Sequence, residues 1–174
     1  GVAVRMTYPH NIQIASAGAI TPMGLGVDSL WQGLLAGRVA FSPADKIRPY
    51  VAAHCEIPAR DASLNLRRCM ALALESTREL ASSGEQGSLR RALVLASTKG
   101  ELDQWELQRA MRVTPLERGI ILSEMALELA ERLGVNGRVL ATSTACASGS
   151  FAAIEAAEML EDGDADEALV TGVD

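Results

Sequence analysis

The chain has 174 residues, enough for one domain with a substantial core, and 48% of them are hydrophobic, as in a globular protein. Its net charge of −6 and its 3% aromatic content disfavour a nucleic-acid-binding surface, which needs basic side chains and stacking platforms. No apolar run reaches the length of a membrane span and the first residues lack the apolar core of a signal peptide, so we expect a cytoplasmic protein.

The three cysteines, Cys55, Cys69 and Cys146, follow neither the spacing of metal ligands nor that of a disulfide framework. The sequence therefore predicts no metal site and a reducing cytosolic environment. Cys55 and Cys69 are interpreted as structural residues. The two histidines, His10 and His54, lie far apart in the sequence.

The first third of the chain predicts two strands and one helix. Asn11–Ser16 alternates apolar and polar residues, which indicates a strand. A capping Asp or Ser predicts a helix over residues 28–36 with apolar residues along one face. We expect Phe41–Pro49 to be a loop and Val51–Ile57 to be a weak strand that ends at a proline.

The remaining two thirds alternate helices and strands. Apolar patterns and helix-start signals predict helices at Leu66–Ser82, Lys99–Met111, Pro115–Leu133 and Ser148–Leu160. Apolar runs predict strands at Ala92–Ala96, Arg138–Ser143 and Ala168–Thr171. Such alternation is typical of an α/β fold, here a mostly parallel mixed sheet of about five strands with helices on both faces.

One thiol, that of Cys146, lies at the junction of a predicted strand and a predicted helix. A helix N-terminus carries about half a positive charge and unpaired N–H groups, so it stabilises a thiolate and raises its nucleophilicity. The small neighbours, including Thr144 and Ser148, are expected to permit a sharp turn and substrate approach rather than to act through their hydroxyls. The local run leaves two interpretations open, a nucleophile and a small buried core cysteine.

The run Thr144–Gly149 resembles the active-site motif of β-ketoacyl-acyl-carrier-protein synthases, the condensing enzymes of fatty-acid and polyketide synthesis. Further stretches resemble other landmarks of this family and follow one another in the family's order. They are Ile20–Gly24, Leu30–Gly37, Leu133–Gly137, Gly163–Asp166 and Ala168–Gly172. The resemblance therefore covers nearly the whole chain.

The resemblance implies a thiolase-like fold, which in the family consists of two similar α/β halves. This chain resembles the first half only, so residues 1–174 are expected to be the β-ketoacyl synthase N-terminal domain, with the C-terminal half absent. In the family the second half supplies two catalytic histidines, a lysine and one oxyanion-hole N–H. His10 and His54 match no catalytic position, so Cys146 is the one catalytic residue that the resemblance assigns.

The implied reaction has two stages. Cys146 accepts an acyl chain from an acyl-carrier protein, with its own backbone N–H as one oxyanion donor. A malonyl-carrier thioester then loses CO₂ and its carbanion attacks the acyl-enzyme, a step not expected of this half alone. No metal or redox cofactor is implied, because phosphopantetheine arrives on the carrier. The family's dimers imply a homodimer, or a heterodimer with a synthase-like subunit, paired through Arg138–Ser143.

Two alternatives to a complete condensing enzyme stay open. The first is a non-catalytic stand-alone half that binds a carrier protein or a partner half-chain. The second is a thiolase, or a decarboxylating or acyl-transfer relative, on the same fold.

Two local features have open interpretations. Lys99 and Glu101 stand where the family carries small or apolar residues of a turn that lines the acyl tunnel. Ser97–Glu101 is therefore either a solvated loop or the wall of a shorter, more polar acyl pocket, which favours a specialised-pathway synthase. The basic pairs Arg67–Arg68 and Arg90–Arg91 are interpreted as a solvated surface, with docking of an acidic carrier as the alternative.

Overall fold

A computed structural model describes residues 12–43, 50–55, 68–81, 89–102, 106, 109–110 and 121–173, with backbone alone at 68, 69 and 78–81. The elements of these residues, in chain order, are β1 (Ile20–Thr21), β2 (Gly24–Leu25), α1 (Val27–Leu35), β3 (Phe41–Pro43), β4 (Val51–Ala53), α2 (Arg68–Ala81), β5 (Arg91–Ala96), α3 (Leu122–Arg132), β6 (Val139–Thr142), α4 (Ser148–Glu161) and β7 (Glu167–Gly172).

Strands β6, β5 and β7 form a parallel sheet in that order, with β5 in the middle. Leu93 of β5 pairs with Val139 of β6 on one side and with Leu169 of β7 on the other. Every residue of β5 is buried, as expected of a continuous apolar strand covered on both faces. The structure thus confirms the α/β class and the parallel arrangement of the three strands predicted in this part of the chain.

The two faces of β5 carry side chains of different size. Leu93 and Leu95 pack with residues of α2 and α3 that include Met70, Met125 and Leu129. The opposite face carries smaller side chains, and α4 packs there through a stripe of mainly alanine; the buried residues of this second core are Ala92, Val94, Ala96, Ala152, Ala156, Met159 and Ala165. Small side chains on both surfaces let the backbone of α4 lie close to the sheet.

Helix α4 is covered on one side only within the described chain. Ala152, Ala156 and Met159 are buried, whereas Phe151 is 48% exposed. Alanines and other apolar residues nevertheless occur around most of this helix. Such a pattern is typical of a helix buried on several sides, so α4 has more apolar surface than the described residues cover.

The N-terminal predictions need correction. Residues 12–19 form no strand, and Ile14 is 90% exposed, because the alternating pattern has no partner strand or core face at this position. The predicted loop at Phe41–Pro49 begins with β3, which pairs antiparallel with β4. Strand β4 confirms the start of the weak strand predicted at Val51–Ile57, but it lies outside the central sheet. Within the described ranges that sheet therefore has three strands rather than about five.

Four of the five helix predictions agree with the structure at the residues that are described, and the prediction at Lys99–Met111 agrees in part. Helices α1, α2 and α4 match the predicted ranges to within two residues at either end. Helix α3 confirms the second half of the prediction at Pro115–Leu133, since residues 111–120 lie outside the description. Gly134, with φ of +65°, ends α3 where Val135 N–H donates to Ala130 O at 2.9 Å. The helix predicted at Lys99–Met111 is wrong at its start, because residues 99–101 form a turn that is held by side-chain hydrogen bonds. Residues 102, 106, 109 and 110 are helical, and the others of this range lie outside the description.

Candidate active site

Cys146 lies on the tight turn that connects β6 to α4, as predicted. Strand β6 ends at Thr142, and Ser148 is the first residue of α4. The thiol is exposed, so the interpretation as a small buried core cysteine is wrong. Cys146 precedes the helix by two residues, which places it beside the positive end of the helix dipole.

Ala145 has an unusual backbone conformation next to this thiol. Its φ is +52°, and among the described residues it is the one residue other than glycine with a positive φ. A left-handed conformation at a non-glycine residue costs about 1–3 kcal/mol and persists only where the surrounding structure enforces it. The turn that carries Cys146 is therefore held by interactions outside Ala145 itself.

Ser148 provides these interactions. Its hydroxyl donates to Ala145 O at 2.6 Å and accepts from Thr144 N–H at 2.9 Å. The backbone N–H of Ser148 also donates to Ala145 O, at 3.0 Å. The Ser148 side chain is buried, and both of its hydroxyl bonds are partly buried. The sequence predicts that the hydroxyls of this motif do not act through hydrogen bonds. That prediction is wrong for Ser148, whose hydroxyl bonds the backbone of Thr144 and Ala145.

An open pocket of about 280 Å³ adjoins the thiol. It lies at the carboxyl ends of the three parallel strands, where ligands of open α/β sheets bind. Its lining comes from the turns after β5 and β6, the start of α4 and the end of β7; the residues are Ala96, Ser97, Thr98, Ala145, Cys146, Ser148, Gly149, Gly172 and Val173. The pocket and the nucleophile candidate thus lie together at the carboxyl ends of the parallel strands.

The turn at Ser97–Glu101 is not a simple solvated loop. Lys99 is exposed, but Glu101 is completely buried, and its Oε1 accepts a hydrogen bond from Met70 N–H at 3.1 Å. Ser97 is also buried, and its Oγ accepts a hydrogen bond from Gly100 N–H at 2.8 Å. The solvated-loop interpretation therefore does not describe Glu101, whose Oε1 accepts a backbone N–H in the first turn of α2 in place of water.

Arg90 and Arg91 lie at the opposite end of the strands from the pocket, where β5 begins. Arg90 binds Asp166 through Nη2 to Oδ1 at 3.0 Å, and Arg91 binds Glu167 through Nη2 to Oε2 at 2.7 Å. The side-chain hydrogen bond between Arg90 and Asp166 raises the pKa of Arg90 and lowers the pKa of Asp166. Both arginines already have acidic partners in this chain, which disfavours carrier docking through them; Arg67 lies outside the described residues.

The other singled-out residues do not join the pocket. His54 is exposed next to β4 and does not line it, and His10 lies outside the described residues. Cys55 is half-buried, and Cys69 is in the first turn of α2, where the backbone alone is described.

Across the described ranges, no group of three His, Cys, Asp or Glu side chains is arranged to hold a metal ion. In the same ranges, no helix combines the length and apolarity needed to cross a membrane.

Sequence comparison identifies related proteins. The family profile described as β-ketoacyl synthase, N-terminal domain, matches residues 68–174, more than half of the chain. A Streptomyces rimosus protein described as oxytetracycline polyketide β-ketoacyl synthase 1 is 30% identical, over 94% of this chain and 45% of its own length. A Streptomyces cyaneus protein described as polyketide β-ketoacyl synthase 1 is 27% identical, over 90% of this chain and 44% of its own. The chain spans less than half the length of these relatives.

Solved structures with the same fold are ketosynthases. The ishigamide ketosynthase/chain length factor superposes with a TM-score of 0.69 at 20% identity, covering 90% of this chain and 50% of that one. The ketosynthase of Xenorhabdus doucetiae, solved in complex with its chain length factor, gives 0.67 at 21% identity, with coverages of 90% and 47%. These similarities confirm the thiolase-like α/β fold. The family profile and the relatives together show that the chain belongs to the β-ketoacyl synthase family, whose N-terminal domain it matches.

Proposed function

We propose that Cys146 is the acyl-accepting nucleophile of a polyketide-type β-ketoacyl synthase. The observation that carries the proposal is the position of its exposed thiol, on a strained turn at the start of α4 and in the lining of the pocket. A structural cysteine gains nothing from this exposure, whereas a nucleophile requires it. The names of the curated relatives favour polyketide over fatty-acid synthesis.

In the first stage, the thiolate of Cys146 attacks the carbonyl carbon of an acyl thioester. A bond forms between Sγ and that carbon, the carbonyl oxygen becomes an oxyanion, and the backbone N–H of Cys146 is one donor to it. Collapse of this intermediate breaks the bond to the phosphopantetheine sulfur, which leaves as a thiolate. It takes a proton from water, which balances the proton that the Cys146 thiol released when its thiolate formed. The acyl chain stays on Cys146, and the acyl-carrier protein provides the only prosthetic group that this stage uses.

The second stage is the decarboxylative condensation with a malonyl-carrier thioester. It needs acid–base groups around the acyl-enzyme. No histidine or lysine lines the pocket formed by the described residues. We therefore assign acyl transfer to Cys146 and assign the groups for condensation to a second thiolase-like half, as the family resemblance implies. The proposed unit is the N-terminal domain, residues 1–174, of such an enzyme.

The partner proposed for this unit is a synthase-like subunit, in addition to the carrier protein. Two of the solved structures with the same fold are named as ketosynthases with a chain length factor. Strand β6 has one neighbour, β5, in the described sheet, so its other edge is available for pairing. A heterodimer through β6 is consistent with both observations, and a homodimer is the competing arrangement.

A non-catalytic half that binds a carrier or a partner half-chain is the second candidate. The absence of histidine and lysine from the described pocket lining favours it. It differs from the first proposal in one respect, because it requires no covalent bond to Cys146. Carrier binding is common to both proposals and does not separate them.

Intact-mass spectrometry of the naturally encoded protein after incubation with an acyl-carrier thioester separates the two candidates. The nucleophile proposal expects an increase by the mass of one acyl group in the parent protein and in Cys55→Ala, and none in Cys146→Ala. An adduct that persists in Cys146→Ala overturns the assignment. Carrier binding without any adduct in the parent protein supports the non-catalytic half instead.

A further inference from the structure

The wall of the pocket next to Cys146 includes Ser97 and Thr98, the first two residues after β5. These residues begin a short turn that includes Gly100, with φ of +61°, and Glu101. Ser143, just after β6, donates its Oγ–H to Thr98 O at 3.4 Å. The position of this wall therefore depends on how the turn is held at its two ends.

The far end of the turn is held by a buried carboxylate. Glu101 is 0% exposed, and its Oε1 lies 3.1 Å from the backbone N of Met70, 31 residues earlier in the chain. Met70 is in the first turn of α2, where backbone N–H groups have no partner within the helix. A carboxylate at this end of a helix is stabilised by the hydrogen bond and by the helix dipole.

The near end of the turn is held by Ser97. This residue is 2% exposed, and its Oγ accepts the hydrogen bond from Gly100 N–H. A displacement of Glu101 is therefore transmitted through the closed turn to Ser97 and Thr98 rather than absorbed by a loose loop. Because α2 packs on the sheet through Met70 and Ala73, the carboxylate connects the pocket wall to the rigid core.

We propose that Glu101 is a positioning residue that limits the depth of the acyl pocket by hydrogen-bonding the turn Ser97–Glu101 to the start of α2. The pocket then takes short acyl groups, and long linear chains are excluded by Ser97 and Thr98. The hydrogen bonds of the turn support the positioning role, and the depth limit and its meaning for acyl substrates rest on the function proposed above.

The test compares alkylation of Cys146 by two iodoacetamides, one with a methyl and one with a dodecyl substituent on nitrogen. The naturally encoded protein is used, and rates come from peptide mass spectrometry. In the parent protein the long probe is expected to react more slowly than the short one. Glu101→Ala removes the acceptor for Met70 N–H, so the ratio of long-probe to short-probe rates is expected to rise about tenfold. Glu101→Gln keeps an acceptor oxygen and is expected to keep the parent ratio.

Leu129→Ala is the control for a general loss of stability, since Leu129 is a buried core residue that takes no part in the Glu101 and Ser97 hydrogen bonds that hold the turn. It is expected to leave the rate ratio unchanged. If Glu101→Ala does not fold, Glu101→Asp withdraws the carboxylate by one methylene and is expected to raise the ratio in the same direction. A folded Glu101→Ala or Glu101→Asp variant with the parent ratio overturns the proposal and leaves Glu101 as a helix cap. Alkylation requires no acyl transfer, so failure of the proposed function is detected separately, by a missing acyl adduct.

Discussion

The hydroxyl of Ser148 donates a hydrogen bond to Ala145 O at 2.6 Å, across the turn that carries Cys146. The same oxygen of Ser148 accepts from Thr144 N–H at 2.9 Å. Backbone and side-chain hydrogen bonds thus converge on the residues that flank the thiol. Because Ala145 has a positive φ, these bonds hold the turn in a conformation that alanine rarely adopts.

Ser148→Ala is expected to lower the free energy of unfolding by about 0.5–1.5 kcal/mol, because the variant loses the two partly buried hydrogen bonds of the hydroxyl. The turn is also expected to relax, so that alkylation of Cys146 slows. Urea unfolding and iodoacetamide kinetics measure the two effects. Ser150→Ala is the matched control, since Ser150 is an exposed residue of the same helix. Equal stability and reactivity in the two variants would show that the Ser148 hydroxyl does not hold the turn.

Gly149→Ala is expected to separate stability from acyl transfer. A Cβ at Gly149 meets no atom within 4 Å, and alanine favours a helix over glycine by about 0.5–1 kcal/mol, so the variant should be at least as stable as the parent. Gly149 lines the pocket, and the added methyl group is expected to slow formation of the acyl adduct. Thermal unfolding and intact-mass kinetics test this expectation, with Ser150→Ala as the control. An unchanged adduct rate would place the acyl group elsewhere in the pocket.

The pair of Arg90 and Asp166 is expected to make stability depend on pH in the acid range. Its side-chain hydrogen bond lowers the pKa of Asp166 in the folded state, so the contribution is complete above the unfolded-state pKa of about 3.9. The contribution is lost as the pH falls through the lower folded-state pKa, where Asp166 becomes protonated.

Asp166→Asn should therefore be less stable than the parent protein at pH 7, and the difference should shrink toward zero in acid. Urea unfolding at a series of pH values measures it, and Asp162→Asn is the control because the described structure shows no ion pair for Asp162. A difference that grows as the pH falls would contradict the assignment. Added salt should reduce the difference at pH 7, since both side chains are exposed.

Local sequence determined the elements that carry the candidate site. The apolar run at Ala92–Ala96 predicts a strand buried on both faces, since it is short and continuous as in the central strands of parallel sheets. The small residues of Ser148–Leu160 predict a helix that approaches a sheet closely, and α4 does so. The position of Cys146 between a strand and a helix follows from the apolar run at Arg138–Ser143 and the small-residue pattern at Ser148–Leu160.

Tertiary structure decided the features that depend on distant partners. The alternation at Asn11–Ser16 predicts a strand, but residues 12–19 form none, because a strand needs a neighbouring edge for its hydrogen bonds and alternation does not provide one. Glu101 is a charged residue of a type usual in solvated turns, yet it is buried. Its carboxylate accepts a hydrogen bond from Met70 N–H in the first turn of α2, 31 residues earlier in the chain. Periodicity reports which face of an element is apolar, and it contains no information about which element covers that face.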